Sequence, residues 1–209
     1  MRRILVFLAM LALGACTYAS PVPKVSGASL ANVGNQEPGH YAAWVQIGGW
    51  NLTTDMKGWT CSAHTYQADI NPVWEAEMKE ALTASVEKVD FVGAMLTPAE
   101  ISAKGYSGFL VFSQSNAASQ STIAQHFFSS TAVSQTDLDA ILIVLDGDGK
   151  SQQQALHGHG AAESSVFTCD KVEEAVANSA GVALQDLVKQ AILTAKLLLA
   201  QAKQHASTP

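Results

Sequence analysis

Ala140-Ile141-Leu142-Ile143-Val144-Leu145 is the stretch that decides the fold. It is apolar at every position, so both faces of a strand built from it need cover, and it predicts a central strand beginning at Asp137. Asp146-Gly147-Asp148-Gly149, immediately after it, spells a tight turn. Lys150 to His159 then reads as a polar returning strand, whose Gln152, Gln153 and Gln154 suit a solvated edge better than a core. On the other side of the central run, Gly108 to Ser115 and Ser121 to Ser129 predict two further strands. The middle of the chain is therefore a series of hairpins.

Before the hairpins, Tyr41 to Ile47 predicts a strand with Trp44 and Trp50 as core or rim aromatics. A loop over Thr53 to Gly58 and a second strand over Trp59 to Tyr66, containing Cys61, follow. Asn71-Pro72 predicts a helix start, with Asn as cap and Pro at the first helical position. Trp74, Met78, Leu82, Val86 and Val89 recur at helical spacing and should lie flat on a sheet. Val89 to Met95 returns as a short strand, and Thr97-Pro98-Ala99-Glu100 is a capping box for a short helix ending near Gly105. After the hairpins, Asp170 and Glu173 form another capping box. Val172, Val176, Ala180, Ala183, Leu187, Ala191, Leu198 and Ala202 then trace the face of a long last helix. The pattern predicts an α+β fold, with an amphipathic helix and a long C-terminal helix on a mainly antiparallel sheet.

Arg2 and Arg3, the apolar run Ile4–Leu13 and Leu13-Gly14-Ala15-Cys16 make a secretory signal, its apolar core too short to span a bilayer. Leu13-Gly14-Ala15-Cys16 resembles the lipobox of bacterial lipoproteins. The resemblance implies that Cys16 is acylated and becomes the new N-terminus, and that its three acyl chains anchor it durably. A free thiol at an ordinary cleavage site is the alternative. Thr17, where an inner-membrane lipoprotein usually carries Asp, implies the outer membrane, facing the periplasm. The division expected is 1–15 signal peptide, 16–39 lipidated flexible tether punctuated by Pro21, Pro23 and Pro38, and 40–209 a single periplasmic domain. The signal holds two of the 12 Lys and Arg and none of the 18 Asp and Glu, which leaves the mature chain at a net charge of −8. That balance argues against nucleic acid and anionic lipid as partners.

With Cys16 taken by lipid, Cys61 and Cys169 remain, and two thiols in an oxidising compartment point to a disulfide. A metal pair or a nucleophile is the alternative. Asp146, Asp148 and Lys150 resemble the start of a calcium-binding EF-hand loop, but Ser151 stands where its Gly is needed and His157 where its Glu belongs. His157-Gly158-His159-Gly160 puts two imidazoles on one face of an extended chain, where Glu163 or His126 would have to complete a metal site. His64 and Asp69 could form an acid–base pair, but a structural His beside a helix cap is the stronger reading. Gly105-Tyr106-Ser107-Gly108 is one residue short of a nucleophile elbow and precedes a strand. No zincin, phosphate-loop or dinucleotide motif is present, and charged residues are only 14% of the chain, too few to favour paired carboxylates. No cofactor is expected. Leu197-Leu198-Leu199 cannot all face one core, and Phe127-Phe128 points a ring to each side of a strand; the readings are a two-layer domain with a wide-faced last helix or a docking surface for another envelope protein.

In element order the domain is similar to the outer-membrane lipopolysaccharide-assembly lipoprotein. More loosely it is similar to the amino-terminal domain of the Tol system's periplasmic protein and to the peptidoglycan-synthase activator lipoproteins. The resemblance covers about Tyr41 to Gln204 and carries over no functional residue. It implies a non-enzymatic lipoprotein that binds an envelope protein in assembly or transport. The alternatives are a binder of a small molecule or metal through His157 and His159, and then a hydrolase.

Overall fold

One strand organises the sheet. The computed structural model describes residues 17–24, 35–57, 61, 64–125, 129–169 and 171–206, the side chains of 57 and 204–206 excepted. The strands are β1 (Thr17–Ser20), β2 (Glu37–Val45), β3 (Leu52–Lys57), β4 (Thr65–Ala68), β5 (Val86–Phe91), β6 (Gly108–Gln125), β7 (Ser130–Leu145) and β8 (Ser151–Ser165). The helices are α1 (Asn71–Ser85), α2 (Pro98–Ala103) and α3 (Lys171–Ala206). On one edge β6 pairs in parallel with β2 near its start and with β3 near its end, while β7 follows its other edge throughout. The path β1-β4-β3-β6-β2-β5 is completed by β7 on β6 and β8 on β7. The α+β class is as expected, but the sheet is mixed. The long β6–β7 and β7–β8 ladders are antiparallel, while β1–β4, β2–β5, β2–β6 and β3–β6 are parallel.

The central run behaves as its composition requires. Ala140, Leu142 and Val144 are buried in the main core under α3, and Ile143 and Leu145 pack on the opposite face with Phe109, Val111, Leu96 and Ile101. The capping box of α2 is present: Thr97 Oγ1 accepts from the Glu100 N–H, and Glu100 accepts from the Thr97 N–H. Asp146 Oδ1 accepts from the N–H groups of Asp148 and Lys150, closing the β7–β8 turn, with Gly149 at φ +81°. That Asp is occupied by turn hydrogen bonds, as a hairpin reading demands.

Several boundaries differ from the sequence reading. Gly108–Gln125 is one 18-residue strand, not two. Its small polar middle, Asn116 to Gln120, pairs with β7 after a register shift between Gln114 and Asn116. The segment Thr53–Lys57, read as loop, lies in β3, because Met56 and Lys57 pair with Ser121 and Thr122. Cys61 sits in the turn between β3 and β4, and Trp59 lies outside the described residues. Asn71 is not the cap of α1. Ile70 holds that position without a side-chain cap, and Asn71 instead donates through Nδ2 to the Trp50 carbonyl. Val86, extended at φ −124°, ends α1 and opens β5. Within the segment expected as a tether, Thr17–Ser20 forms β1, Val22 is buried and Pro23 packs beside Gly181 of α3. The Pro-rich composition hid these contacts because an edge strand of four residues has no period long enough to read. Asp170 and the Phe127-Phe128 pair lie outside the described residues.

Where α3 crosses the sheet, the interface holds a buried hydroxyl cluster. Ser179 Oγ lies 3.0 Å from Ser134 Oγ and 2.9 Å from Thr136 Oγ1, and Ser121 Oγ donates to Ser134 Oγ at 3.0 Å. All four residues are buried, and besides one another they reach only the Val176 carbonyl, from Ser179 Oγ, and Ser119 Oγ, from Thr136 Oγ1, among the described residues. Ser179→Ala is expected to cost about 1–2 kcal/mol in urea unfolding, the penalty for stranding buried hydroxyls. A cost below about 0.3 kcal/mol would show that the cluster rearranges freely.

Candidate functional site

The face of β6–β8 away from α3 is built in rows by strict alternation. Phe109 and Leu145 pair in the first row and Val111, Ile143 and Gln153 form the second; their apolar members are covered by α2 and the chain leading into it. Beyond the register shift the rows become Asn116-Asp139-His157, Ala118-Asp137-His159, Gln120-Gln135-Ala161 and Thr122-Val133-Glu163. Asn116, Ala118, Gln120, Thr122, Gln135, His157, His159, Ala161 and Glu163 are all exposed. Among the described residues nothing lies across these rows. They form a flat, polar surface on three long strands.

The structure brings His157 and His159 to one face, as their spacing predicts, and sets opposite them two carboxylates that the sequence reading did not single out. His157 Nδ1 lies 2.7 Å from Asp139 Oδ1, and His159 Nδ1 lies 2.8 Å from Asp137 Oδ1. His157 Nε2 is 3.5 Å from the same Asp137 oxygen. Asp186 of α3 accepts from the His159 N–H at the strand edge. Both imidazoles thus use Nδ1 against a carboxylate. Glu163 stands four residues past His159, about 13 Å along the strand, and His126 lies outside the described residues. Among the described residues no group of three or more His, Cys, Asp or Glu side chains is arranged to hold a metal ion. What could have revealed the carboxylates is their own spacing: Asp137 and Asp139 are two apart, like the histidines, and antiparallel pairing can match two such pairs only if register allows.

The hydrogen bond to Asp139 pushes the His157 pKa up; the charges of Asp139, Asp137 and Asp186 add to this, and partial desolvation opposes it. A raised folded-state value means that the pair stabilises the fold fully below the unfolded value, about 6.5, and that this contribution is lost as pH rises through the folded value. With the imidazole 58% exposed, solvent screening keeps the effect on stability small. Proton NMR is expected to place the His157 midpoint above that of a free histidine, and Asp139→Asn to lower it. An unchanged midpoint in that variant would remove Asp139 as the cause.

Cys61 and Cys169 are joined by a disulfide, their Cα atoms 5.6 Å apart. Around it Tyr66 OH donates to the Cys169 carbonyl at 2.8 Å, Tyr18 stacks on Tyr66 at 5.5 Å, and the His64 ring meets Tyr18 edge-on at 5.3 Å. Asp69 accepts from Asn71 rather than joining His64. Ser107 Oγ accepts from the His40 backbone N–H at 3.3 Å. His40 Nε2 and Tyr106 OH both converge on Asp90 Oδ2, at 2.8 and 3.0 Å, a cluster with no motif in the sequence. The His40 contact, then that of Tyr106, holds the Asp90 carboxyl below its usual range. Of the three leucines, Leu197 is exposed while Leu198 and Leu199 are buried. Cys16 lies outside the described residues, and no described helix is long and apolar enough to cross a membrane.

No family model matches the chain, and no curated protein matches it. Among solved structures it is similar to a Xanthomonas campestris protein of the DUF330 family, at 11% identity and a TM-score of 0.44, over 92% of this chain and 100% of that one. A neuraminyllactose-binding hemagglutinin homolog from Helicobacter pylori is similar at 9% identity and a TM-score of 0.31, over 82% and 89%. Lipoprotein GNA1162 from Neisseria meningitidis is similar at 12% identity and a TM-score of 0.24, over 80% and 99%. Likenesses this distant carry no argument about what this chain does.

Proposed function

We propose that the protein is a non-enzymatic, lipid-anchored periplasmic lipoprotein that presents the polar face of β6–β8 to a protein partner of the cell envelope. The observation that carries this reading is the open face itself. Three strands of 18, 16 and 15 residues are covered by α3 on one side and, past the register shift, by nothing described on the other. Small and amide side chains such as Ala118, Gln120, Gln135 and Ala161 keep the surface low, and beyond the His–Asp rows its charge is that of Glu163. Such a face suits a protein surface better than a small molecule, which needs concavity. The lipobox at Leu13-Gly14-Ala15-Cys16 supplies the anchor in this reading, with the outer membrane as the site.

The test is in-cell photocrosslinking from Gln135, at native expression, in the wild type and in Cys16→Ala. One defined envelope protein captured by the anchored chain and lost in the variant is expected. If no specific adduct forms from Gln135 in the anchored chain, the docking reading fails.

A further inference from the structure

β2 and β5 are adjacent and parallel, and the helices before and after β5 lie on opposite faces of the sheet. Trp74, Met78 and Leu82 of α1 pack in the main core with Tyr41, Ala43 and Val89, whereas Ile101 of α2 packs with Ala42 on the other face. Connections that part in this way open a crevice outside the carboxyl ends of parallel strands. β5 stops level with Ala43, where Phe91 pairs and the Val92 N–H donates to the Ala43 carbonyl, while β2 runs on through Trp44 and Val45. Beyond that step lies a cleft of about 360 Å³, whose walls include Trp44, Ile47, Phe91, Val92, Glu75 and Lys79. That volume falls within the roughly 300–1,000 Å³ of small-molecule sites.

The loop after β2 is pinned from two sides. The Gln46 N–H donates to the Phe112 carbonyl, the Gln46 carbonyl accepts from Trp74 Nε1, and the Gly49 and Trp50 N–H groups share Gln114 Oε1. This fixed loop nevertheless holds Ile47 56% exposed, in the same cleft as Phe91 at 37%. Apolar side chains scattered singly in water need no account, but two fixed in one cleft beside a half-buried indole make a surface that a ring can cover. On the α1 wall, Lys79 Nζ lies 2.6 Å from Glu75 Oε1 and 5.7 Å from the centre of the Phe91 ring. The geometry points to a binding site for a small zwitterion with a flat apolar body, the class of the free aromatic amino acids. Its ammonium meets Glu75, its carboxylate meets Lys79, and its ring lies among Trp44, Ile47 and Phe91. The choice of a zwitterion follows from charge. A ligand of one sign satisfies one wall group and repels the other, whereas a zwitterion exchanges one ion pair for two. Lys79 and Glu75 are 42% and 35% exposed, and a pair so wet is worth little, so opening it costs little. The cleft shares no residue with the His–Asp rows, so it does not depend on that face docking a partner.

The experiment is a saturation-transfer NMR titration of the full chain with L-tryptophan, beside tryptamine and 3-indolepropionate, which keep the ring and each lack one charged group. L-Tryptophan is expected to bind with a Kd of about 1 mM or tighter, and each analogue at least about tenfold more weakly. The Glu75→Gln, Lys79→Met chain is expected to lose that preference while its urea midpoint stays near that of the wild type. Absence of L-tryptophan binding up to about 10 mM overturns the inference. Analogues that bind the wild type as tightly as L-tryptophan also overturn it, since the cleft would then read only the ring. A preference that survives in the double variant does the same.

Discussion

The Cys61→Ser, Cys169→Ser chain is expected to lose about 4 kcal/mol of stability, measured as the shift in urea unfolding under non-reducing conditions. The bridge spans 108 residues of sequence, so in its absence the unfolded chain regains the entropy of a very long open loop. Loop closure of this length is worth up to about 4.7 kcal/mol, and native bridges removed from secreted domains cost about 2–5. The local consequences point the same way. The bridge holds the start of α3 to the β3–β4 turn, and the Tyr66–Cys169 hydrogen bond and the Tyr18–Tyr66 stack are built on that join. A loss below about 1 kcal/mol would mean that packing alone fixes the start of α3. Alkylation without reductant should leave the intact mass of the wild type unchanged, whereas two added groups would show free thiols.

Gly160→Ala is expected to destabilise the domain by about 3 kcal/mol, and Gly158→Ala by a similar amount. The two glycines of β8 face α3, which lies so close that a Cβ on Gly160 would overlap the Ser179 carbonyl and the Ala183 amide, and would stand 3.1 Å from Ala183 Cα. A Cβ on Gly158 would sit 2.6 Å from Leu187 Cβ and 2.9 Å from its backbone nitrogen. These are backbone obstacles and the root of a side chain, so no rotamer change can relieve them. Helix and strand would have to separate, stretching the Ser134–Thr136–Ser179 cluster beneath. Thermal or urea unfolding checks this directly. A loss below about 0.5 kcal/mol at Gly160 would show that α3 can slide away at little cost.

These glycines show where sequence reading runs out. In His157-Gly158-His159-Gly160 the shared face of the two imidazoles is legible because a strand alternates. The same alternation puts both glycines on the other face, stripped of side chains at period two, which is a mark of close backbone approach. What came to fill that space, α3, was not legible. Likewise Asn116 to Gln120 reads as a break in any local window, since small polar residues favour loops, and only pairing with Asp139 through Gln135 makes it strand. The partnering of His157 with Asp139 and of His159 with Asp137 required the register of two strands, which a shift of one residue would have moved to opposite faces.

The sequence by itself determined what is settled within a few residues of chain. The Thr97–Glu100 capping box, the Asp146 turn, the apolar stripe of α3 and the apolar run at Ala140–Leu145 all depend on side chains meeting their own nearby backbone or a fixed period. The tertiary structure alone decided the parallel pairing of β2, β3 and β6, the ordering of Thr17–Ser20 and the open His–Asp face, and it supplied the 5.6 Å Cα separation that the expected Cys61–Cys169 bridge requires. Backbone groups in a strand satisfy their hydrogen bonds only with a distant segment. Which segment is chosen depends on how the whole apolar surface is buried at once, and no local stretch carries that information.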